Sequence, residues 1–64
     1  MKIEEVKKNL NKKVVYKGMP SKYKLTACIL RKKDNKYYYQ AELLDIKHGR
    51  SLLICGLDDI AEEG

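Results

Sequence analysis

Residues 23–45 read YKLTACILRKKDNKYYYQAELLD, two runs of alternating apolar and polar side chains that flank Asp34 and Asn35. Asp and Asn tolerate the left-handed backbone conformation that a two-residue hairpin turn requires. The stretch therefore predicts a long antiparallel hairpin with strands from Tyr23 to Arg31 and from Lys36 to about Ile46. Strict alternation would place one side of both strands against the core. That set comprises Tyr23, Leu25, Ala27, Ile29, Tyr37, Tyr39, Ala41 and Leu43.

The segments on either side of this hairpin complete the predicted sheet. Residues 13–17 alternate as a short strand, and the Gly- and Pro-containing residues 18–21 end it. Residues 47–50 turn the chain into a fourth strand, 51–56, whose apolar composition predicts burial on both sides. Within residues 57–60, two apolar residues are spaced as in a single helical turn, after which a brief fifth strand can follow.

A short N-terminal helix is predicted over residues 1–11. Ile3, Val6 and Leu10 recur at intervals of three and four and form one apolar face, which must dock on the sheet because so short a helix is unstable alone. Asn9 and Asn11 are candidate terminators. The complete predicted core comprises Leu25, Ala27, Ile29, Tyr39, Ala41, Leu43, Ile54, Leu57 and Ile60, with the helix packed on it.

Taken together, the elements follow the order short strand, long hairpin, strand, helical turn and final strand. This order resembles the SH3-like barrel class over residues 12–62. We therefore expect a single domain, residues 1–64, of mainly β class. It would be a small SH3-like antiparallel barrel of four to five strands (12–62) with a short N-terminal α-helix (1–11).

Three stretches of the chain carry a second resemblance. Residues 23–29 (YKLTACI), 38–45 (YYQAELLD) and 51–60 (SLLICGLDDI) are similar to short uncharacterised proteins of Gram-positive phages and conjugative elements. This resemblance implies that the chain is an accessory protein of a bacterial mobile element. It implies no activity and assigns no functional residue. The SH3-like class serves peptide, RNA, DNA and structural roles, so it does not decide function either.

Charge is distributed unevenly along the chain. Residues 1–36 contain twelve Lys and Arg and three acidic residues, a net +9, whereas residues 37–64 contain two basic and six acidic residues, a net −4. A basic pole of this kind favours an anionic partner, and nucleic acid is the first candidate. Twelve of the fourteen basic residues are Lys. Because Lys lacks the planar fork of Arg, this composition argues against bidentate readout of bases.

The basic side chains define the candidate nucleic-acid site. Alternation places several lysines on the outward side of strands one to three, where they can contact phosphates. An exposed Tyr38 among them can stack on a base of a single strand. The candidate residues are Lys13, Lys17, Lys22, Lys24, Lys32, Lys36 and Tyr38. Solvated lysines that only keep the protein soluble are the alternative interpretation.

A second hypothesis is protein interaction. Leu30, Leu44 and Leu53 have the parity opposite the predicted core, together with Tyr38 and Cys55, which is more apolar area than a solvated face needs. The helix can cover part of this outer face. A second copy or another protein can cover the rest, which would make the chain a homodimer, a docking module or a scaffold.

Few chemical groups indicate catalysis or cofactor binding. Cys28, Cys55 and His48 lack the short-spaced pairs of a zinc site, and the glycines match no phosphate-binding spacing. We expect free thiols, no metal, no cofactor, no small-molecule substrate and no enzymatic activity. The longest plain apolar run, 52–55, is four residues, too short to cross a membrane. The sequence thus predicts a cytoplasmic protein without a secretory signal.

Overall fold

The computed structural model describes residues 1–49 and 51–63 as a five-stranded antiparallel sheet with one short helix. The order across the sheet is β4-β3-β2-β1-β5. This confirms a mainly β antiparallel fold with an N-terminal helix and a brief fifth strand. In chain order the elements are α1 (Ile3–Asn9), β1 (Lys13–Tyr16), β2 (Lys22–Lys33), β3 (Lys36–Asp45), β4 (Leu52–Gly56), a 3₁₀ turn (Leu57–Asp59) and β5 (Ile60–Glu62).

Closure of the sheet into a barrel, as predicted, is not found. Among the described residues β4 pairs with β3 alone and β5 with β1 alone, so both outer strands have an open edge. The two outer strands are nevertheless close along the chain, because only a three-residue 3₁₀ turn connects them. The 3₁₀ turn carries the chain directly from β4 to the edge of β1, where Asp59 accepts a 2.8 Å hydrogen bond from the Lys17 N–H.

The predicted hairpin tip is confirmed. Lys33 pairs with Lys36 across a two-residue turn, and Asp34 and Asn35 have φ angles of 51° and 63°. Two consecutive left-handed residues form the turn whose twist matches that of the flanking strands. Of the next predicted turn, residues 47–50, Arg50 lies outside the described residues.

A β-bulge at Thr26 interrupts the alternation of β2. Leu25 pairs with Leu43, but the next pairs are Ala27 with Glu42 and Cys28 with Ala41, so Thr26 is an extra residue. Its single O–H is shared between two acceptors of Glu42, a side-chain oxygen (2.8 Å) and the main-chain carbonyl (3.1 Å). Because one inserted residue exchanges the two sides of a strand, every residue of β2 after the bulge lies on the side opposite to the prediction.

The sheet consequently has two faces that differ from the predicted ones. The core face carries Val14, Tyr23, Leu25, Cys28, Leu30, Lys32, Tyr37, Tyr39, Ala41, Leu43, Leu53 and Cys55. The outer face carries Lys13, Val15, Lys22, Lys24, Ala27, Ile29, Arg31, Lys33, Lys36, Tyr38, Gln40, Glu42, Leu44, Leu52 and Ile54.

The core lies between α1 and the core face of the sheet, and all five strands contribute to it. The buried residues are Val6, Val14, Tyr23, Leu25, Ala41, Leu43, Cys55 and Ile60. Val6 comes from α1, which confirms that the helix docks on the sheet. The helix itself is shorter than predicted. It ends at Asn9, whose side-chain amide donates to the Glu5 carbonyl (2.7 Å), so Leu10 lies beyond it and is exposed.

Several predicted core residues are not buried. Ala27 and Ile29 are only half-buried, because the bulge turns them to the outer face. Ile54 is 42 % exposed and its neighbour Cys55 is buried instead, since Cys55 is the residue that pairs with Ala41. Tyr39 lies on the core face as predicted but is also 42 % exposed, because the β2–β3 hairpin extends beyond the area that α1 covers. Leu57 is half-buried against the core.

Truncation of Leu43 tests this boundary of the core. Leu43→Ala removes a side chain with no exposed area, and we expect the free energy of unfolding in urea to fall by about 2–5 kcal/mol. Leu30→Ala is the matched control on the same face. Leu30 is 58 % exposed, and its truncation should cost about 0.5 kcal/mol or less. Equal losses for the two variants would contradict the assigned core.

Candidate nucleic-acid interface

The outer face brings most of the candidate residues together in two groups. Near β1, Lys13 pairs directly with Lys24, and Lys22 lies two residues along the same strand; we call these three residues the base cluster. At the hairpin end, Lys33 pairs with Lys36 and Arg31 pairs with Tyr38; these four residues form the tip cluster. Every member except the half-buried Lys24 is exposed.

The lysines of both clusters face other cations. Lys13 lies opposite Lys24, and Lys33 lies opposite Lys36, and like charges in such pairs destabilise a sheet. Within residues 1–49 and 51–63 the ion pair present is that of His48 with Asp45, outside both clusters. The cluster lysines therefore have no carboxylate within 4.0 Å in this part of the chain. An anion placed between them would relieve the repulsion.

Tyr38 is the aromatic residue of the tip cluster. Its ring is 41 % exposed, and its cross-strand partner Arg31 donates through Nε to the side-chain oxygen of Gln40. This hydrogen bond directs the Arg31 guanidinium along β3 toward Gln40 on the outer face. A flat exposed ring next to a fixed cation offers one surface for a base and one donor group for a phosphate.

An apolar band separates the two clusters. Ala27, Ile29 and Ile54 occupy it together with Gln40, and Glu42 in its centre accepts the Thr26 hydroxyl hydrogen bond. The β3 partners of the two clusters, Leu44 for Lys24 and Tyr38 for Arg31, are six residues apart, which corresponds to roughly 20 Å at about 3.4 Å per strand residue. A ligand that contacts both clusters must therefore be extended and must tolerate apolar surface along its path.

An open pocket of about 360 Å³ adjoins the base cluster. It is lined by Pro20, Ser21, Lys22, Ile46 and Lys47. The pocket thus combines two ammonium groups with an apolar wall, and it extends the positive surface of the base cluster toward the β3–β4 turn. A larger open groove of about 530 Å³ lies at the N-terminal end of α1, between Tyr39 and Leu57.

Two predicted contact residues lie elsewhere. Lys32 is on the core face, with its ammonium group 5.4 Å from the centre of the Tyr37 ring. The prediction placed it with Lys22 and Lys24 because it counted strict alternation through the bulge. Lys17 follows the last residue of β1 and belongs to neither cluster.

Two residues of the tip cluster, Arg31 and Lys33, are absent from the predicted site, because strict alternation through the bulge places them on the core face. A warning was present in the sequence. Residues 27–30 are four consecutive apolar residues, ACIL, across which side-chain alternation cannot be followed.

The predicted apolar interaction residues are also redistributed. Leu44 lies on the outer face as predicted. Leu30 lies on the core face beyond the helix and is exposed, and Leu53 packs against the core beside the buried Cys55. The apolar residues that do face outward from β4 are Leu52 and Ile54.

The cysteines are free and lie on either side of Ala41. Cys28 pairs with Ala41 from β2 and Cys55 pairs with it from β4, so two strand spacings, roughly 10 Å, separate their backbones. That distance is too long for a disulfide. Burial raises the pKa of the Cys28 thiol, while burial and then the charge of Asp59 raise that of Cys55.

His48 belongs to a turn and lies far from both thiols in the sheet. Its ring nitrogen is 2.9 Å from the Asp45 carboxylate, and this hydrogen bond is the main cause that lowers the pKa of Asp45. The described residues contain no group of three or more potential metal ligands. No helix in the described ranges is long and apolar enough to cross a membrane.

Comparison with known proteins adds no family to these observations. No protein-family model, no curated protein and no solved structure matches the chain. The arguments about function therefore depend on the geometry of the outer face.

Thiol modification tests the placement of the cysteines. Because a raised pKa lowers the thiolate fraction, both cysteines should react with iodoacetamide more slowly than a free thiol at pH 8. We expect Cys28, which is half-buried, to be modified before Cys55. Mass spectrometry of timed samples identifies the order, and the urea-unfolded protein provides the reference rate. Faster modification of Cys55 would contradict its burial.

Proposed function

We propose that this chain is a non-enzymatic accessory or adaptor module that binds nucleic acid, preferably single-stranded, through the outer face of its sheet. The observation that carries the proposal is the pairing of lysines with lysines in two exposed clusters. Such a surface has a free energy cost in the free protein, and a polyanion removes that cost. Phosphate backbones reward it further, because each neutralised phosphate releases condensed counterions.

The two clusters have different roles in this proposal. The lysines of the base cluster contact phosphates, which gives affinity with little sequence preference. The tip cluster adds a base-stacking surface, Tyr38, and a positioned cation, Arg31. A single strand suits this arrangement better than a duplex, since only unpaired bases can stack on a side chain and follow the apolar band between the clusters.

Two finer statements belong with this proposal. The order of elements along the chain, together with the return of β5 to pair with β1, supports membership of the SH3-like class in an open form. The resemblance of three stretches to proteins of phages and conjugative elements supports a role in a bacterial mobile element.

Protein interaction is the second candidate function. It is favoured by Leu52 and Ile54, neighbouring outer-face side chains of β4 that are 60 % and 42 % exposed. Both lie at the β4 edge of the sheet, Leu52 in the row of Lys24 and Ile54 in the apolar band. The two functions would therefore share this part of the outer face.

Neighbouring lysines on opposite faces provide a matched test of phosphate contact. Lys33→Ala removes a tip-cluster charge, and Lys32→Ala removes the same charge from the core face. In fluorescence titrations of a labelled single strand at several salt concentrations, Lys33→Ala should reduce the slope of log K against log salt by about 0.7. Lys32→Ala should leave the slope unchanged. The same slope change in both variants would contradict a face-specific site.

Tyr38 and Tyr37 form the second matched pair. Tyr38→Ala should weaken single-strand binding by about 1–3 kcal/mol without changing the salt slope, because stacking releases no counterions. Tyr37→Ala, on the core face, should have little effect. Parallel titrations with a duplex measure the strand preference. If neither oligonucleotide binds at low salt, the nucleic-acid proposal is wrong and protein interaction becomes the leading candidate.

A further inference from the structure

We propose that the free edge of β4 pairs antiparallel with β4 of a second copy, which joins two five-stranded sheets into one continuous sheet. This inference goes beyond nucleic-acid binding and does not depend on it. It commits to one partner, a second copy of this chain, and to one pairing, in which Leu53 faces Leu53 of the second copy.

The alternation of hydrogen bonds shows which backbone groups of β4 are free. The Asp45 N–H donates to the Ser51 carbonyl (2.9 Å), so Asp45 and Ser51 occupy a hydrogen-bonded position between β3 and β4. In an antiparallel ladder every second pair does so. Leu53 and Cys55 therefore point their N–H and C=O groups toward β3, whereas Leu52 and Ile54 point theirs toward the open edge.

One end of this edge is already occupied. The Gly56 N–H, which points the same way as those of Leu52 and Ile54, donates to the Asp59 carboxylate (3.3 Å). Residues 52–54 are thus the part of the edge with both donors and acceptors available. Pairing centred on Leu53 uses the N–H and C=O groups of both Leu52 and Ile54, because Leu52 of each copy exchanges two hydrogen bonds with Ile54 of the other. A pairing centred on Ile54 would need the Gly56 group that Asp59 occupies.

The sequence of β4 lacks the features that normally protect an edge strand. Natural edges carry charged side chains, Pro or bulges, and β4 has none of these in LLICG. Antiparallel self-pairing places Leu52 beside Ile54 of the second copy on the outer face, so each copy buries exposed apolar area of the other. The other edge strand, β5, is only three residues long and ends at the charged Glu62.

Charge at the two ends of β4 favours the antiparallel arrangement of two copies. The turn before β4 carries Lys47 and the 3₁₀ turn after it carries Asp58 and Asp59. When two copies of β4 run in opposite directions, the acidic end of each lies beside the turn that carries Lys47 in the other. A parallel pairing would place like charges together.

Sedimentation velocity across protein concentrations tests the association. The unmodified protein should shift from monomer to dimer as concentration rises through the micromolar to millimolar range. Leu52→Lys adds a charge at the paired edge and should raise the dimer dissociation constant by about tenfold or more. Val15→Lys is the matched control. It replaces an exposed outer-face residue on β1, three strands away, and should leave dimerisation unchanged.

Disulfide cross-linking tests the pairing. In a Cys28→Ser, Cys55→Ala background, Leu53→Cys should give a covalent dimer under mild oxidation, because residues facing each other at a non-hydrogen-bonded position meet disulfide geometry. Ile54→Cys, which would face Leu52 of the second copy, should cross-link far more slowly. Circular dichroism checks that each variant is folded.

Three results would overturn the inference. A protein that remains monomeric at millimolar concentration has no such contact. A dimer that Leu52→Lys and Val15→Lys weaken equally does not use the β4 edge. Faster cross-linking through Ile54→Cys than through Leu53→Cys would exclude the pairing centred on Leu53.

Discussion

The β-bulge at Thr26 is the constraint on which both faces of this small sheet depend. One extra residue in β2, Thr26, whose hydroxyl is shared between two oxygens of Glu42, reverses the orientation of all that follows to the hairpin tip. Without it, Arg31 and Lys33 would share a side with the core, and Lys32 would lie with Lys24. The basic outer surface therefore exists because the bulge shifts the register of β2 by one residue. A bulge also bends and twists a strand, which fits a sheet whose hairpin extends past the helix.

The bulge at Thr26 also explains which side chains could be assigned to the correct face from the sequence and which could not. The hairpin tip was predictable because Asp34 and Asn35 have a specific backbone requirement, and Leu25 and Leu43 were predictable because they precede the irregularity. Ala27 and Ile29 were assigned to the wrong face because the run 27–30 is apolar throughout, so it does not show which of its residues face the core. In β4, the run Leu52–Cys55 is also apolar throughout and shows no alternation, so the prediction placed Ile54 in the core instead of Cys55. Tyr38 and Lys36 were placed correctly because β3 alternates without interruption.

The exposure of the far hairpin follows from the size of the chain. A domain of 64 residues with a single short helix can cover only part of one face, so burial is complete around Leu25 and Leu43 and incomplete beyond Ala41. The tip is therefore a surface on both sides, with Tyr37, Tyr39 and Lys32 on one side and the basic tip cluster on the other. Such a tip adds little to the core, which leaves its residues free to serve binding.

Pairing through β4 and binding on the outer face are geometrically compatible. Antiparallel strands that meet edge to edge are related by a two-fold axis perpendicular to the sheet, so the outer faces of both copies would lie on the same side. The apolar band would then continue across the junction, with a basic tip cluster from each copy available to one strand of nucleic acid. A strand that contacts both copies gains effective concentration for its second contact, and it stabilises the dimer in return. Binding and association would therefore strengthen each other even if each is weak alone.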